Sequence, residues 1–204
     1  MTRTASLGAL LLLAFLLLGV TVSDNVPTVD TLVADTLGGG WQATVGDVAF
    51  VVSAVLGPVL PVAAAVALLV AAFVVRRRGR SELTGLLLRA MLLLAVCRTV
   101  SLFKPFFERA RPRPYPDFSF PSGHVVSVAS VGFTAVVLCA WLAHRRLRAV
   151  LWASTVAVTV AALCRVILDV HWLTDVLGAT LGVVGLGLLT AVGLRLLPAR
   201  APTA

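Results

Sequence analysis

Long apolar runs, separated by short polar stretches, dominate this chain of 204 residues. A helix needs roughly 20 apolar residues to cross the hydrocarbon core of a bilayer. Six segments are of that order, at 5–22, 48–75, 83–103, 124–143, 149–169 and 174–197. Only 13% of the residues are charged, compared with about 25% in a typical soluble domain. We therefore predict an all-α, polytopic membrane protein with six transmembrane helices, formed by a single domain over residues 1–204.

The first two segments have features that set them apart from the other four. The first follows Arg3 and has the charge pattern of a signal peptide, but no clear A-x-A cleavage site comes after it, so we favour a retained helix. The second is long and contains Gly57, Pro58 and Pro61. Because proline removes a backbone donor and disturbs helix geometry, we predict a kink or an irregular outer end there.

The arginines indicate how the six helices are oriented in the membrane. No Lys or Arg lies between Arg3 and Arg76, whereas RRRGR (76–80) and HRRLR (144–148) follow the second and fourth segments. Six crossings place both clusters and both termini on one side, which the positive-inside rule identifies as the cytoplasm. Orientation and an anionic substrate together explain the net charge of +8. We predict no nucleic-acid partner, because no basic-aromatic groove pattern accompanies the charge.

Three polar motifs are predicted to lie together on the opposite, outer side of the membrane. They are KPFFERARP (104–112), PSGH (121–124) and CRVILDVHWLTD (164–175). Ionisable groups at membrane depth are costly and commonly functional, so their gathering at one membrane face indicates a site. The candidate site residues are Lys104, Arg111, Ser122, Gly123, His124, Arg165, His171 and Asp175.

This set of side chains suits the binding and cleavage of a phosphate ester. Phosphate oxygens are stabilised by Arg, by Lys and by backbone amides at the start of a helix, here those of Ser122 and Gly123. Asp175 follows His171 by four residues, so on a helix it would hold Nδ1 and leave Nε2 free to attack phosphorus. His124 would then act as general acid for the leaving group and as general base for water.

The three motifs resemble the signature motifs of the type 2 phosphatidic acid phosphatase (PAP2) superfamily, which also includes the vanadium haloperoxidases. They occur in the expected order over residues 104–175, with Cys164 in place of the usual serine. The resemblance implies a metal-independent membrane phosphatase that forms a phosphohistidine and needs no cofactor. It also implies the catalytic residues His171, His124 and Asp175, and phosphate contacts from Lys104, Arg111, Ser122, Gly123 and Arg165.

The resemblance leaves several substrates and reactions open. We favour hydrolysis of a polyprenyl diphosphate such as undecaprenyl diphosphate at the outer face of the membrane, with phosphatidic acid and phosphatidylglycerophosphate as alternative substrates. A lipid phosphotransferase is a second alternative. A non-enzymatic anion or lipid transporter is a third, but it predicts charges at several depths, whereas here they gather at one level. A zinc site at His124, His171 and Asp175 is disfavoured because the nearby cations oppose a metal.

Four further charged residues near these motifs have expected roles. Arg98 either pairs with a carboxylate or lines the site. We expect Asp169 to pair with Arg165, because residues at i and i+4 share one face of a helix. Glu108 and Arg109 are expected to pair locally or to be solvated.

Overall fold

The computed structural model describes residues 2–197, and no strand occurs among those residues. Within this range the α-helices are α1 (Thr2–Ser23), α2 (Thr28–Leu37), α3 (Thr44–Ala54), α4 (Leu60–Arg77), α5 (Ser81–Arg98), α6 (Lys104–Phe107), α7 (Gly123–Leu142), α8 (Leu147–Ile167) and α9 (Leu173–Gly193). Short 3₁₀ segments lie at Gly38–Gln42, Thr99–Phe103 and His144–Arg146. Met1 and residues 198–204, which the single-domain prediction includes, lie outside the described part of the chain.

Six helical stretches are long and apolar enough to cross a membrane, which confirms the predicted fold class. They are Thr2–Ser23, Thr44–Arg77, Ser81–Phe107, Gly123–Leu142, His144–Ile167 and Leu173–Gly193. The third stretch reaches Phe107 because the 3₁₀ segment Thr99–Phe103 and α6 continue α5. The sixth ends at Gly193, four residues before the predicted boundary.

The second membrane-crossing stretch changes its helical geometry around Pro58, where an irregularity was predicted. A π-helical turn at Val55–Val59 joins α3 to α4 and contains Pro58. Proline has no N–H to donate, so the regular pattern of α-helical hydrogen bonds is interrupted there. The turn places Gly57 directly against the ring of His124, where any Cβ would overlap the imidazole.

Helix α1 packs against α9 through small residues that allow the two backbones to approach closely. A Cβ on Gly185 would come within 2.6 Å of the backbone nitrogen of Leu12. A Cβ on Gly8 would meet the carbonyl oxygen of Gly185 at 3.0 Å. Close packing of this kind is typical of membrane helices, whose interfaces favour small residues. It makes α1 an integral part of the bundle.

An aromatic cluster packs α1 and α6 against the loop at 108–122. The ring of Phe15 stacks on that of Phe120 with 5.5 Å between centroids, and it meets Phe103 edge-on at 5.6 Å. Phe107 meets Phe120 edge-on at 5.0 Å. Aromatic pairs at these separations contribute about 0.5–1.5 kcal/mol beyond the burial of their area. The cluster therefore anchors the loop that carries the first two motifs.

Candidate active site

A cavity of about 510 Å³ opens at the end of the bundle where the three motifs meet. Its lining includes six of the eight predicted site residues, namely Lys104, Arg111, Gly123, His124, Arg165 and His171. The other two, Ser122 and Asp175, are fully buried behind these residues. Side chains that are separated by up to 67 positions in the sequence thus surround one space.

His171 is held at both ring nitrogens. Its Nδ1 lies 3.3 Å from Oδ2 of Asp175, as the sequence predicts, and its Nε2 lies 3.2 Å from Nη1 of Arg111. A guanidinium can only donate hydrogen bonds, so Nε2 accepts and the ring proton is on Nδ1. This tautomer gives Nε2 a lone pair, next to a cation that suits a phosphate oxygen.

The surroundings of His171 also favour its neutral form. The ring is buried, and this burial, followed by the positive charges of Arg165 and Arg111, holds the pKa of His171 well below its usual range. A histidine with a lowered pKa stays unprotonated at neutral pH. Its Nε2 therefore keeps the lone pair that nucleophilic attack requires.

The pairing of His171 with Asp175 arises from the start of α9 and not from a shared helix face. Helix α9 begins at Leu173, so His171 lies before it. Asp175 is the third residue of the helix, and its Oδ2 accepts a hydrogen bond of 2.8 Å from the backbone N–H of Trp172. A carboxylate at this position typically caps the first turn. Here the same oxygen also faces Nδ1 of His171.

The cations of the first motif bind the loop that follows them. Nζ of Lys104 donates to Oδ2 of Asp117 at 2.8 Å and to the carbonyl oxygen of Phe118 at 2.5 Å. Arg111 donates from Nε to the carbonyl oxygen of Asp117 at 2.7 Å and from Nη2 to that of Phe118 at 3.0 Å. Burial alone would raise the pKa of Asp117, but hydrogen bonds from Lys104 and from the Phe118 N–H outweigh it and lower the pKa. Asp117 is therefore ionised, and its negative charge partly neutralises the positive charge of Lys104.

Arg165 and Arg98 bring cationic charge to other walls of the cavity. Arg165 is 5% exposed and donates from Nη1 to Oγ of Ser53 at 3.2 Å. Arg98 donates from Nη1 to Oγ of Ser127 at 2.6 Å and to the carbonyl oxygen of Gly123 at 3.3 Å. Across residues 2–197, no carboxylate lies within salt-bridge distance of Arg98. Of its two expected roles, Arg98 therefore has the second and lines the site.

The start of α7 offers fewer donors than the sequence suggests. The backbone N–H of Ser122 donates to the carbonyl oxygen of Asp175 at 3.2 Å, so this amide is not free for a phosphate oxygen. The expectation for the Ser122 amide is wrong because the residue packs against α9 and does not line the cavity. Its hydroxyl is buried without a hydrogen-bond partner. Gly123 does line the cavity, as predicted.

The model of the PAP2 superfamily matches residues 83–197, which is more than half of the chain. The chain belongs to the PAP2 superfamily. Its fold matches the crystal structure of a transmembrane PAP2 type phosphatidylglycerolphosphate phosphatase from Bacillus subtilis with a TM-score of 0.70, over 92% of this chain and 94% of that chain, at 24% sequence identity. A search of curated proteins finds no match. The resemblance inferred from the three motifs is thus confirmed.

Two charged residues of this PAP2 protein form a buried network that the sequence does not predict. Arg109 is 1% exposed, and its Nη1 lies 2.5 Å from Oδ1 of Asp175. Its Nη2 lies 2.7 Å from Oδ2 of Asp30, which is also 1% exposed and comes from α2. The expectation that Arg109 pairs with Glu108 or is solvated is wrong, because Glu108 adopts a left-handed conformation (φ 48°) at the end of α6 and the chain turns inward after it. Nothing in the sequence pairs Asp30 with a residue 79 positions away.

The expected pair between Asp169 and Arg165 is also wrong. Helix α8 ends at Ile167, and Asp169 has a left-handed backbone (φ 53°), so the helical i, i+4 geometry is lost. Asp169 instead lies against Gly38 and lines a second cavity of about 410 Å³. Burial raises the pKa of Asp169, and the charge of Arg113 opposes this shift.

No group of three His, Cys, Asp or Glu side chains that could hold a metal ion occurs among residues 2–197. His124, His171 and Asp175, where a zinc site was disfavoured, are not grouped as three such ligands there. Nδ1 of His171 faces Asp175 and its Nε2 faces Arg111. Arg109 engages the other oxygen of Asp175.

Proposed function

We propose that this PAP2 protein is a phosphatase that removes a phosphate from the head group of a membrane lipid through a phosphohistidine at His171. The observation that carries the proposal is the set of contacts made by the two ring nitrogens of His171. Its Nδ1 faces Asp175, and its Nε2 faces a guanidinium in a cationic cavity. Membership of the superfamily and a fold shared with a phosphatase support the same reaction class.

The proposed reaction has two steps at one phosphorus atom. Nε2 of His171 attacks phosphorus, the bond from phosphorus to the leaving oxygen breaks, and the imidazolium of His124 donates a proton to that oxygen. His124, now neutral, then takes a proton from water, whose oxygen attacks the phosphohistidine. The P–N bond breaks, phosphate leaves, and His171 and His124 return to their initial states. A phosphate dianion beside His124 favours its imidazolium form at the start of the cycle.

The charge of the cavity suits this reaction without a metal ion. Four cationic side chains line it, namely Lys104, Arg111, Arg165 and Arg98, and Asp117 is the carboxylate among the lining residues. Guanidinium and ammonium groups stabilise the charge that spreads over the phosphoryl oxygens in the transition state. We expect phosphate release in EDTA to equal that in buffer. Loss of turnover in EDTA that one divalent ion restores would contradict metal independence.

A lipid substrate is supported by the surroundings of the cavity. An apolar helix face extends from Pro58 in the π-helical turn to Val75 in α4, and Pro58 also lines the cationic cavity. A lipid tail along this face would bring its head group to the site. Arg98 lies on the His124 side of the cavity, where the leaving group departs, and its guanidinium could bind a leaving group that is itself a phosphate. We therefore favour a polyprenyl diphosphate such as undecaprenyl diphosphate. Phosphatidylglycerophosphate is the second candidate, since the structural neighbour acts on that lipid.

The orientation is part of the same proposal. The clusters at 76–80 and 144–148 lie at the end of the bundle opposite the cavity. By the positive-inside rule, those clusters and both termini are cytoplasmic and the active site is on the outer face. We also propose that residues 1–204 act as one domain.

A panel of lipid phosphates tests the proposed function. Purified protein in detergent is given undecaprenyl diphosphate, undecaprenyl phosphate, phosphatidic acid or phosphatidylglycerophosphate, and released phosphate and lipid products are measured. We expect release of inorganic phosphate, fastest from the diphosphate. Transfer of phosphate to a second lipid without free phosphate would instead favour the phosphotransferase. Turnover of no substrate in the panel would contradict the proposal.

A further inference from the structure

The carboxylate of Asp175 has to meet two requirements if it is to orient His171. It must stay ionised although it is fully buried, and it must not rotate away from Nδ1. A buried charge is stable only when it is paired and hydrogen-bonded. The two oxygens have different partners: Oδ2 faces Trp172 N–H and His171, whereas Oδ1 accepts from Arg109 at 2.5 Å and lies 3.4 Å from the Ser119 hydroxyl. Arg109 therefore fixes the rotation of the carboxylate.

Arg109 is itself buried, and Asp30 compensates its charge. Without Asp30, the whole charge of the guanidinium would be directed at Asp175 and would weaken the attraction of that carboxylate for Nδ1–H of His171. Asp30 accepts a hydrogen bond of 2.7 Å from Nη2 of Arg109 and so shares the guanidinium between two carboxylates. The three side chains together carry one net negative charge, which lies next to His171.

Asp30 also holds the backbone and the side chain that precede Asp175. Its Oδ1 accepts from the N–H of Thr174 at 2.9 Å, and its Oδ2 accepts from the Thr174 hydroxyl at 2.5 Å. Thr174 is the second residue of α9, whose first amide groups have no partner within the helix. A carboxylate at this end is further stabilised by the helix dipole. A residue of α2 thus caps the helix that carries Asp175.

We infer that Asp30 and Arg109 are positioning residues for the nucleophile pair, and that the outer helix α2 belongs to the catalytic apparatus. The inference rests on the proposed function of His171. Asp30 lies outside all three motifs and outside residues 83–197, which the superfamily model matches. Neither side chain touches the cavity that would hold the phosphate. Both act through Asp175, so they set the rate of the chemical step and not the affinity for substrate.

The test compares kcat and KM for phosphate release by the full-length protein, with the most active lipid of the panel. Asp30→Asn keeps the size of the side chain but removes its charge, and we expect kcat to fall about ten-fold or more, because small displacements of a catalytic group are costly. KM should change little. Asp35→Asn is the matched control on α2, since Asp35 is exposed, and it should leave both constants unchanged. Arg109→Lys, which keeps the charge, should retain more kcat than Arg109→Gln.

A second comparison separates positioning from general loss of structure. In an Asp175→Asn background, Asp30→Asn should lower kcat no further, because its effect passes through the carboxylate that has been removed. An equal loss in both backgrounds would overturn the inference, and so would an Asp30→Asn protein with wild-type kcat. If Asp30→Asn does not fold, Thr174→Val removes one link of the network, and unchanged kcat in that variant has the same consequence. A wild-type protein that releases no phosphate overturns the proposed function and this inference together.

Discussion

Two histidines line the cavity, but only His171 has a carboxylate behind it. This asymmetry predicts that His171→Ala abolishes phosphate release, because the atom that bonds to phosphorus is removed. The matched control is His144→Ala, since His144 is exposed and lies at the opposite end of the bundle. We expect the control to have wild-type activity when released phosphate is measured under saturating substrate. A His171→Ala protein that keeps more than about a tenth of the rate would contradict its role as nucleophile.

Arg98 is the residue whose contribution to the rate should depend most on the nature of the leaving group. Its guanidinium lies at the first turn of α7, next to His124, and it has no carboxylate partner in the described range. A leaving phosphate would gain a charge-assisted hydrogen bond there, which is worth about 1.5–3 kcal/mol. Arg98→Met should therefore lower kcat/KM for a polyprenyl diphosphate more than kcat/KM for the monophosphate of the same chain. We expect the two losses to differ by about ten-fold or more.

The control for Arg98 is Arg89→Met, on the same helix. Arg89 donates to the carbonyl oxygens of Gly85 and Leu194 and does not line the active-site cavity. The ratio of the two kcat/KM values should stay at its wild-type level in this variant. Equal losses for both substrates in Arg98→Met would contradict a contact with the leaving group.

At the scale of single residues, the motifs predict the groups that surround the cavity but not those that hold them. Local spacing places Lys104, Arg111, His124 and Arg165 near the ends of apolar segments, so these residues could be placed. Asp30 and Arg109 could not, since their contact joins distant parts of the chain. An aspartate between two apolar segments has the same sequence pattern whether it is solvated or buried.

The π-helical turn at Val55–Val59 is the element that shapes the cavity on the side of His124. Gly57 lies in this turn and packs directly on the imidazole ring, so there is no room for a side chain. We predict that Gly57→Ala displaces His124 and lowers kcat about 10- to 100-fold. The measurement is steady-state phosphate release, together with thermal unfolding to confirm that the variant is folded.

Gly85→Ala is the control for this substitution. Gly85 lies within α5, and no atom outside its own helix backbone is close to the position of its Cβ. An alanine there should leave kcat unchanged and favour the helix slightly, because alanine has the higher helix propensity. If both alanine variants kept full activity, the contact of Gly57 with His124 would have no catalytic consequence.

Helix ends explain which parts of the site differ from the sequence prediction. A continuous helix through 164–175 would pair Asp169 with Arg165 and His171 with Asp175 by the same rule. The structure breaks this helix after Ile167 and starts α9 at Leu173. The first pair is lost, and the second survives because Asp175 caps α9 beside His171. Helix boundaries depend on capping contacts that hydrophobic periodicity does not record.

For the whole molecule, the number of membrane-crossing helices is predictable because apolar length is a local property of the sequence. The arrangement of the helices is not local. Helix α1 packs on α9, and α7 contacts α4, α5, α8 and α9. Neighbours such as α1 and α9 are chosen by glycines that permit close approach, and their pairing becomes apparent only in three dimensions. The gathering of three motifs at one end follows from the alternation of six crossings.

The orientation of the bundle can be measured with single cysteines, because the three native cysteines, Cys97, Cys139 and Cys164, are buried and unbridged. Pro114→Cys places a thiol in the exposed loop beside the cavity, and Ser81→Cys places one at the opposite end, at the start of α5. The arginines of 76–80 next to Ser81 should hold that end in the cytoplasm. A membrane-impermeant maleimide should then label Pro114→Cys in intact cells, and Ser81→Cys only after permeabilisation. The reverse pattern would put the cavity at the cytoplasmic face, where the site could reach only head groups of the inner leaflet.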